Sequence, residues 1–305
     1  MDDVRRLTIY LDDASLAQHQ AGQHNFFARL TAALRARDWR VDALPATPET
    51  RAAAPDQPGY ALFHMDEPTH DRALTCRRAY VGAFWRIEAT GRRWDWPVAK
   101  AQFDPAAIDA AAAQGFARGW RKRLFDDPQV PPPSDLVLIA LQGRLDQQRS
   151  FQSTSPIAMI ETTARHFPDR PLLATLHPNE VHTEAEHSAL DQLATTFPNL
   201  RIRKGGSDAA LRQAGLVVTQ NSATAFRGFF LHRPALLFGE VDFHHIAASV
   251  PRDGLDRAVQ AARQRRPSFD RYLFWFLRQQ AINAHAPDTD DQIIAALSRH
   301  GWPVA

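Results

Sequence analysis

The sequence has very little cysteine, no long apolar segment and no marked excess of either charge. Its single cysteine, Cys76, excludes an internal disulfide framework and is typical of a reducing compartment. No window approaches the roughly 20 apolar residues of a membrane-spanning helix, and the apolar run near the N-terminus is too short for a signal-peptide core. The 36 basic and 34 acidic side chains give a net charge of +2, so no global field draws the protein to nucleic acid. We therefore expect a cytoplasmic protein that is at most peripheral at the inner membrane.

The chain instead contains many short apolar segments with strand or helix periodicity. At 305 residues and 44% hydrophobic content, it is long enough for two domains. The first part has three β-prone runs and one helical pattern, at 7–11, 39–44, 60–65 and 25–37 respectively. This order is typical of a parallel α/β layer. Asp104 and Pro105 then predict the start of a helix over 105–124.

The sharpest change in composition is the run from Asp126 to Ser134, which contains three consecutive prolines. Consecutive prolines forbid a helix and favour an extended, semi-rigid connector. We therefore predict an N-terminal α/β domain over 1–127, a linker over 128–135 and a C-terminal domain over 136–305.

Strands and helices alternate regularly in the predicted C-terminal domain. Its predicted strands are 136–141, 171–176, 200–203, 215–219 and 234–238. Its predicted helices are 156–166, 184–196, 208–213 and 222–231, followed by terminal helices near 252–264, 268–284 and 289–299. Five strands connected by helices predict a Rossmann-like domain.

Each of these five strands is followed at once by polar residues. Ligands of open α/β sheets bind outside the carboxyl ends of the strands, so these residues are the candidates for a site. The runs begin at Gln142, His177, Lys204, Gln220 and Gly239.

Three of the candidate side chains have a specific chemistry. Ser222 opens a predicted helix, where its hydroxyl and the following N–H groups can hold a phosphate; the alternative is a simple N-cap. The imidazole of His177 can balance the charge of a leaving phosphate or protonate it; the alternative is a loop histidine before a turn. Asp146 can act as a nucleophile or base; the alternative is a solvated loop carboxylate.

The motifs that carry these residues resemble a known family. The runs LVLIALQGRLDQQRSF, LLATLHPNE and LVVTQNSATAFRGFFLHRPALLFGEVDFHH look like the capsule polysaccharide biosynthesis family, which includes β-Kdo transferases. The His-Pro and Ser elements are also similar to those of bacterial sialyltransferases that use CMP-sugars. The resemblance covers the region 60–245 and is strongest over 136–245. It implies a GT-B-like α/β fold, with two Rossmann-like domains and a cleft between them.

The resemblance also implies roles for individual residues. It gives His177 and Ser222 to the nucleotide phosphate, and Asp146 with Gln142 to the sugar and the bond-making step. Pro178, which stiffens the chain after His177, belongs to the same donor-binding set. The further residues that would line the donor pocket are Asn221, Thr224 and Glu240. It implies no metal and no cofactor, and makes the N-terminal domain the acceptor side.

The expected function is therefore a metal-independent glycosyltransferase of capsule biosynthesis. It would transfer an acidic, Kdo-like sugar from a CMP-sugar to a lipid-linked or saccharide acceptor, possess no nucleic-acid partner and associate at most peripherally with a capsule export complex. Gly143 stands where relatives often have Pro, which motivates an alternative: a catalytically silent carbohydrate- or nucleotide-binding partner in capsule assembly. A sugar-nucleotide epimerase is a third hypothesis, because such enzymes also use strand-end His and Ser residues.

Overall fold

The computed structural model describes residues 5–304, which divide into two compact units. One unit contains the chain up to Val98 together with the segment from Phe276 onward, and the other is Ala99–Trp275. None of the helices within 5–304 is long and apolar enough to cross a membrane.

Five strands and five α-helices are formed by the described residues of the first part of the chain, from Arg5 to Phe125. They are β1 (Arg6–Leu11), α1 (Asp13–Gln20), α2 (Asn25–Arg35), β2 (Arg40–Pro45), α3 (Pro48–Ala53), β3 (Tyr60–His64), β4 (Ala73–Arg78), β5 (Phe84–Glu88), α4 (Pro97–Lys100) and α5 (Ala110–Phe125). The three predicted strands and the predicted helix 25–37 are thus present, whereas β4 and β5 were not predicted. The predicted helix 105–124 is split: Asp104 caps only a short 3-10 turn, and Asp109 caps α5 by accepting the Ala112 N–H at 2.6 Å.

The second part has a regular alternation of strands and helices. It contains β6 (Val137–Ala140), α6 (Pro156–His166), β7 (Leu172–Leu176), α7 (Glu184–Thr196), β8 (Leu200–Lys204), α8 (Ser207–Gln213), β9 (Leu216–Thr219), α9 (Ala223–Phe230) and β10 (Ala235–Leu237). These elements agree with the predicted ones to within one or two residues at each end.

The C-terminal part differs more from the prediction. It contains β11 (Ala248–Ser249), α10 (Val250–Asp253), α11 (Leu255–Gln264), α12 (Phe269–Leu273), a π-helix (Phe274–Gln279), β12 (Ile282–Asn283) and α13 (Thr289–Arg299). The predicted helix 268–284 therefore ends early, and its last residues form a strand.

The unit that begins the chain contains a mixed sheet in the order β12-β5-β4-β3-β1-β2. The pairs among β2, β1, β3 and β4 are parallel, while β5 and β12 are antiparallel to their neighbours. Helices α2 and α13 cover the sheet with apolar side chains, among them Phe26, Leu30 and Ile293.

Ala99–Trp275 contains a parallel sheet in the order β11-β10-β9-β6-β7-β8. Each central strand is an almost fully buried apolar run, as expected of a parallel sheet covered on both faces by helices. The chain starts at β6 and builds outward through β7 and β8, then returns to the other side of β6 with β9. The order therefore reverses between β6 and β9, in the arrangement of a dinucleotide-binding sheet.

The boundaries of the two compact units, after Val98 and after Trp275, lie at other positions than the linker predicted at 128–135. Helix α5 packs on α12 and α9, so residues 99–127 lie with the second sheet. The last segment pairs β12 with β5, and Trp302 stacks on Trp39 at 6.2 Å between ring centroids, so the end of the chain completes the first sheet. Proline content marks a stiff segment, but it carries no information on these long-range contacts.

Candidate functional site

The candidate site lies at the carboxyl edge of the parallel sheet, where the strand order reverses between β6 and β9. A crevice forms at such a point because the connections from the two strands leave on opposite faces of the sheet. The residues that follow β6, β7, β9 and β10 include all those predicted from the sequence. Thr219, the last residue of β9, ties the two central strands together: its hydroxyl donates to the Ala140 carbonyl at 2.7 Å.

The loop that follows β6 is held in place at its start by a buried side chain and a buried carboxylate. Leu145 is completely buried, and its N–H donates to Glu186 Oε1 at 2.5 Å. Arg144, just before it, has a φ of 60°, a left-handed conformation that is uncommon for a residue other than glycine. Such conformations cluster at functional sites, because the surrounding structure must hold them.

The far end of the same loop is tied to the ends of β9 and β10. Gln152 forms an antiparallel bridge with Gly239, and the Glu240 N–H donates to the Phe151 carbonyl at 2.8 Å. The Gln220 side chain, which is buried, donates to the Thr154 carbonyl at 2.9 Å. The loop is therefore fixed to the ends of β9 and β10 by these hydrogen bonds.

Arg149 brings a positive charge into this loop that the sequence did not single out. Its Nη2 lies 3.4 Å from Gln142 Oε1, and its guanidinium stacks over Phe151 at 4.8 Å from the ring centroid. Burial and the neighbouring Arg144 lower the pKa of Arg149, but a guanidinium stays charged at any physiological pH. The Nε–H is buried and has no acceptor within residues 5–304.

The neighbouring loop approaches Gly143 closely. A Cβ at this position would collide with the carboxylate of Glu180, which follows β7. Glu180 is exposed and was not among the predicted site residues.

His177 follows β7 and is exposed, with Pro178 exposed beside it. The Asn179 N–H donates to His177 Nδ1 at 3.3 Å. A neutral imidazole that accepts at Nδ1 carries its proton on Nε2. His177 therefore presents an N–H donor to solvent, as an interaction with a phosphate oxygen requires.

Ser222 is the N-cap of α9, which fulfils the simpler of its two predicted roles. Its Oγ accepts the Thr224 N–H at 3.2 Å and lies 3.2 Å from Thr224 Oγ1. The Ala223 N–H, the first of the helix, has no acceptor among the described residues. At this helix end the free donor for an anion is thus a backbone N–H, with the helix dipole behind it.

The remaining predicted residues lie on either side of this helix start. Asn221 is half-buried and donates from Nδ2 to the Glu240 carbonyl at 3.4 Å. The Glu240 side chain is exposed. Asn221, Ser222, Thr224 and Glu240 are thus brought together by the ends of β9 and β10.

His177 and Ser222 lie on opposite sides of β6. Their strands β7 and β9 are each hydrogen-bonded to β6, so the two strand axes are about 10 Å apart. No contact joins the two side chains in the described structure.

Asp146 is the predicted residue with the least support from its surroundings. It is exposed in a turn, and its carboxylate forms no hydrogen bond or ion pair within residues 5–304. Leu145, which points into the core, fixes the backbone next to it. The described residues contain no group of three or more potential metal ligands.

Three charged residues at the candidate site were not among the predicted site residues: Arg149, Glu180 and Glu186. Arg149 and Glu180 stand in the same strand-end loops as predicted residues. Glu186 could have been recognised from another pattern. It follows Thr183 by three residues, a spacing typical of the capping box that the two residues form at the start of α7.

Comparison with known proteins gives a likeness in structure only. No family model matches the chain, and no curated protein is similar to it in sequence. The β-Kdo 2,7-transferase of KpsC from Thermosulfurimonas dismutans has a TM-score of 0.52 at 10% identity, over 88% of each chain. The β-Kdo 2,4-transferase of the same KpsC has a TM-score of 0.47 at 11% identity, over 87% of this chain and 88% of that one.

A further solved structure is a UDP-GlcNAc 2-epimerase from Neisseria meningitidis, with a TM-score of 0.40 at 10% identity over 96% of this chain and 99% of that one. At such identities a likeness shows the fold alone. Together with the two sheets, the likeness to the β-Kdo 2,7-transferase confirms the predicted fold class: α/β, GT-B-like, with two Rossmann-like domains.

Proposed function

We propose that this protein is a metal-independent glycosyltransferase that takes an acidic, Kdo-like sugar from a CMP-sugar and transfers it to a lipid-linked or saccharide acceptor of capsule biosynthesis. The observation that carries the proposal is the set of anion-binding donors at the reversal point of the parallel sheet. These donors are His177 Nε2–H, the Ala223 N–H at the start of α9, and the partly exposed guanidinium of Arg149.

The three donors suit different parts of an activated acidic sugar. A nucleotide monophosphate spanning the roughly 10 Å between the β7 and β9 ends would meet His177 on one side and the α9 N-terminus on the other. Both stabilise the negative charge that grows on the phosphate as the glycosidic bond breaks. Arg149, beside Gln142, provides a guanidinium for the sugar carboxylate, which it can bind in a bidentate manner.

Asp146 is the proposed bond-forming carboxylate if the reaction retains configuration through a covalent intermediate. Its exposed carboxylate is unpaired in the described residues, so it is free to meet a sugar. Asn221, Thr224 and Glu240 would line the donor pocket beside Ser222, with Pro178 stiffening the exit of β7.

Calorimetry with CMP, CDP, UDP and GDP tests the donor assignment. We expect CMP to bind best, and His177→Ala to weaken CMP binding about tenfold or more, because a hydrogen bond to a charged group contributes about 1.5–3 kcal/mol. His187→Ala is the matched control, since this exposed histidine lies on α7 outside the strand-end loops. Equal CMP affinity in wild type and His177→Ala would refute the assignment.

A catalytically silent binding partner is the second candidate, and the isolation of Asp146 favours it. A nucleophile is normally oriented by a neighbouring group, and no residue within 5–304 orients this carboxylate. The deciding assay is product formation from CMP-Kdo and a lipid-linked acceptor. Turnover that Asp146→Asn abolishes supports the transferase, whereas CMP binding without turnover supports the silent partner.

A further inference from the structure

One edge of the parallel sheet is unpaired among the described residues. Strand β8 is the last strand in the order and is hydrogen-bonded to β7 alone. Just after β8, the Gly205 N–H donates to the Leu176 carbonyl of β7 at 2.9 Å. Backbone groups alternate sides along a strand, so the N–H and C=O groups of Ile202 and the N–H of Lys204 point away from β7. An extended peptide can form hydrogen bonds with such groups.

The side chains of β8 give this edge one sign of charge. The strand reads LRIRK, and its Arg201, Arg203 and Lys204 are exposed. Within residues 5–304, Arg201 makes no hydrogen bond or ion pair, and Arg203 donates to the Gly206 carbonyl at 3.1 Å. Neither guanidinium is neutralised by a carboxylate there, so both can pair with an acidic partner. Like charges opposite one another on neighbouring strands are destabilising, which opposes pairing with β8 of a second copy.

A groove of about 810 Å³ lies beside β8 and is lined in part by Arg201 and Arg203. Leu136, Pro171 and Pro198, which precede β6, β7 and β8, give it an apolar lining at the amino ends of these strands. The candidate site lies at the opposite, carboxyl ends, so the groove is a separate surface. Its volume is in the range of pockets that enclose a ligand.

Arg170 adds a third guanidinium to the lining of the groove. It is half-buried, its guanidinium stacks over Phe167 at 5.6 Å from the ring centroid, and its Nε donates to the Asp135 carbonyl at 2.7 Å. These contacts hold the guanidinium in place, and it forms no ion pair within residues 5–304. Among the described residues that line the groove, Asp169 is the acidic one. Three guanidinium groups against one carboxylate leave the groove with an excess of positive charge.

The lining of the groove favours an acidic peptide over other anionic partners. No aromatic side chain of the described residues lines it, so a nucleotide base has no ring to stack on. A membrane surface is bound through exposed apolar side chains as well as charge. The exposed large hydrophobic residues within 5–304 are Leu44, Met65 and Val181, and none of them lies on β8 or lines the groove. An extended acidic segment matches both the unpaired backbone and the arginines.

We propose that β8 and this groove bind an acidic, extended segment of a partner protein, which adds a strand to the sheet. The segment runs parallel to β8, as the other strands of the sheet do, and its backbone pairs with Ile202 and Lys204. Two of its carboxylates, two residues apart, meet Arg201 and Arg203. An apolar side chain two residues before them enters the groove at the amino end of β8. This binding does not depend on the proposed transferase activity.

The probe is the peptide Leu-Val-Glu-Val-Glu-Val with blocked ends and a fluorescent label, which places its leucine and both glutamates on one face of a strand. Fluorescence anisotropy should show that it binds the full-length protein and that a lysine version does not. We expect the double variant Arg201→Glu, Arg203→Glu to weaken binding about tenfold or more, because attractive charge pairs become repulsive. Arg257→Glu is the matched control, an exposed arginine on α11, which packs on β10 and β11 at the other edge of the sheet.

Two methylated peptides distinguish backbone pairing from simple charge attraction. In a parallel pair, Ile202 exchanges hydrogen bonds with the peptide residues on either side of its partner, and these are the glutamates. Methyl groups on the glutamate nitrogens should therefore weaken binding to the wild type about tenfold or more, since they remove donors and block the approach of β8. Methyl groups on the valine nitrogens, which point to solvent, are the matched control and should leave the affinity unchanged.

Amide hydrogen exchange measured by NMR gives a readout that needs no variant. The unlabelled peptide should slow exchange at Ile202 and Lys204 about tenfold or more and leave the amides of α11 unchanged. Equal affinities of the two methylated peptides, unchanged exchange at Ile202 and Lys204, or equal binding by Arg257→Glu and the double variant would each overturn the proposal. Phosphatidylglycerol vesicles that sediment the wild type but not the double variant, with no slowing of exchange by the peptide, would assign the arginines to a membrane surface instead.

Discussion

Replacing Glu186 by alanine removes one buried carboxylate that connects α7 with the loop of the candidate site. Glu186 is only 5% exposed. One carboxylate oxygen accepts the Leu145 N–H at 2.5 Å and the other accepts the Thr183 N–H at 2.9 Å. The ring of His182 lies 3.5 Å from the second oxygen. An alanine side chain has no oxygen and can form none of these interactions.

The size of the effect follows from what happens to the two N–H groups. A buried donor left without an acceptor costs about 1–3 kcal/mol. Leu145 is completely buried, so we expect its N–H to lose the whole of this free energy. Thr183 is exposed, so its N–H can donate to water instead. Loss of the capping box adds about 1 kcal/mol. We therefore expect Glu186→Ala to lower the free energy of unfolding by about 2–4 kcal/mol.

Urea unfolding at pH 7 measures this difference, with Glu184→Ala as the control. Glu184 lies in the same first turn of α7 but is exposed, so its loss should cost under about 1 kcal/mol. Because Glu186 also holds the loop that carries Gln142 and Arg149, CMP affinity should fall in Glu186→Ala and not in the control. A loss no larger than that of Glu184→Ala would refute the anchoring role.

The pH dependence gives a second check on Glu186. Burial raises the pKa of this carboxyl. The hydrogen bonds from the N–H groups of Thr183 and Leu145 lower the pKa by more than burial raises it, so the net shift is downward. A lowered folded-state pKa contributes stability that is fully present above the unfolded value of about 4.3. It is lost as the pH falls through the folded-state pKa. The difference between wild type and Glu186→Gln should therefore shrink below about pH 4.

Three further predictions concern other parts of the chain. Gly143→Ala should change the free energy of unfolding by under about 1 kcal/mol, because the exposed Glu180 side chain can move aside, yet it should change CMP affinity in calorimetry. Asp270→Ala removes the carboxylate partner of Arg121, whose side chain is only 7% exposed. Urea unfolding should therefore record a decrease of about 3 kcal/mol in the free energy of unfolding, and a decrease under about 1 kcal/mol would contradict this. Trp302→Ala should cost about 3–5 kcal/mol and make the C-terminal segment sensitive to limited proteolysis, since Trp302 is 5% exposed in the core of the first sheet.

Much of the parallel sheet was predictable from the sequence, because its strands are buried on both faces. Such strands are continuous apolar runs that end at polar or turn residues, as β6 and β9 do. Strands β4 and β5 were missed for the opposite reason. Arg77 and Arg86 interrupt their apolar pattern, although Arg86 itself is buried.

The candidate site was predictable to a more limited degree. The strand-end rule selects His177 and Ser222, because each follows a recognisable strand. It could not show that the Ser222 hydroxyl accepts a hydrogen bond from the Thr224 N–H, nor that the Glu180 side chain lies against Gly143. Such contacts depend on which loops become neighbours.

The sequence by itself determined the alternation of strands and helices in the second half and the identity of the residues at the strand ends, since both depend on local periodicity. Tertiary structure alone decided which strand ends are adjacent. It brought Arg149 to Gln142 and Asp12 to His64, and it returned the end of the chain to the first sheet. The physical reason is that strand pairing and side-chain packing join residues far apart in the chain, and local preferences do not encode those partners.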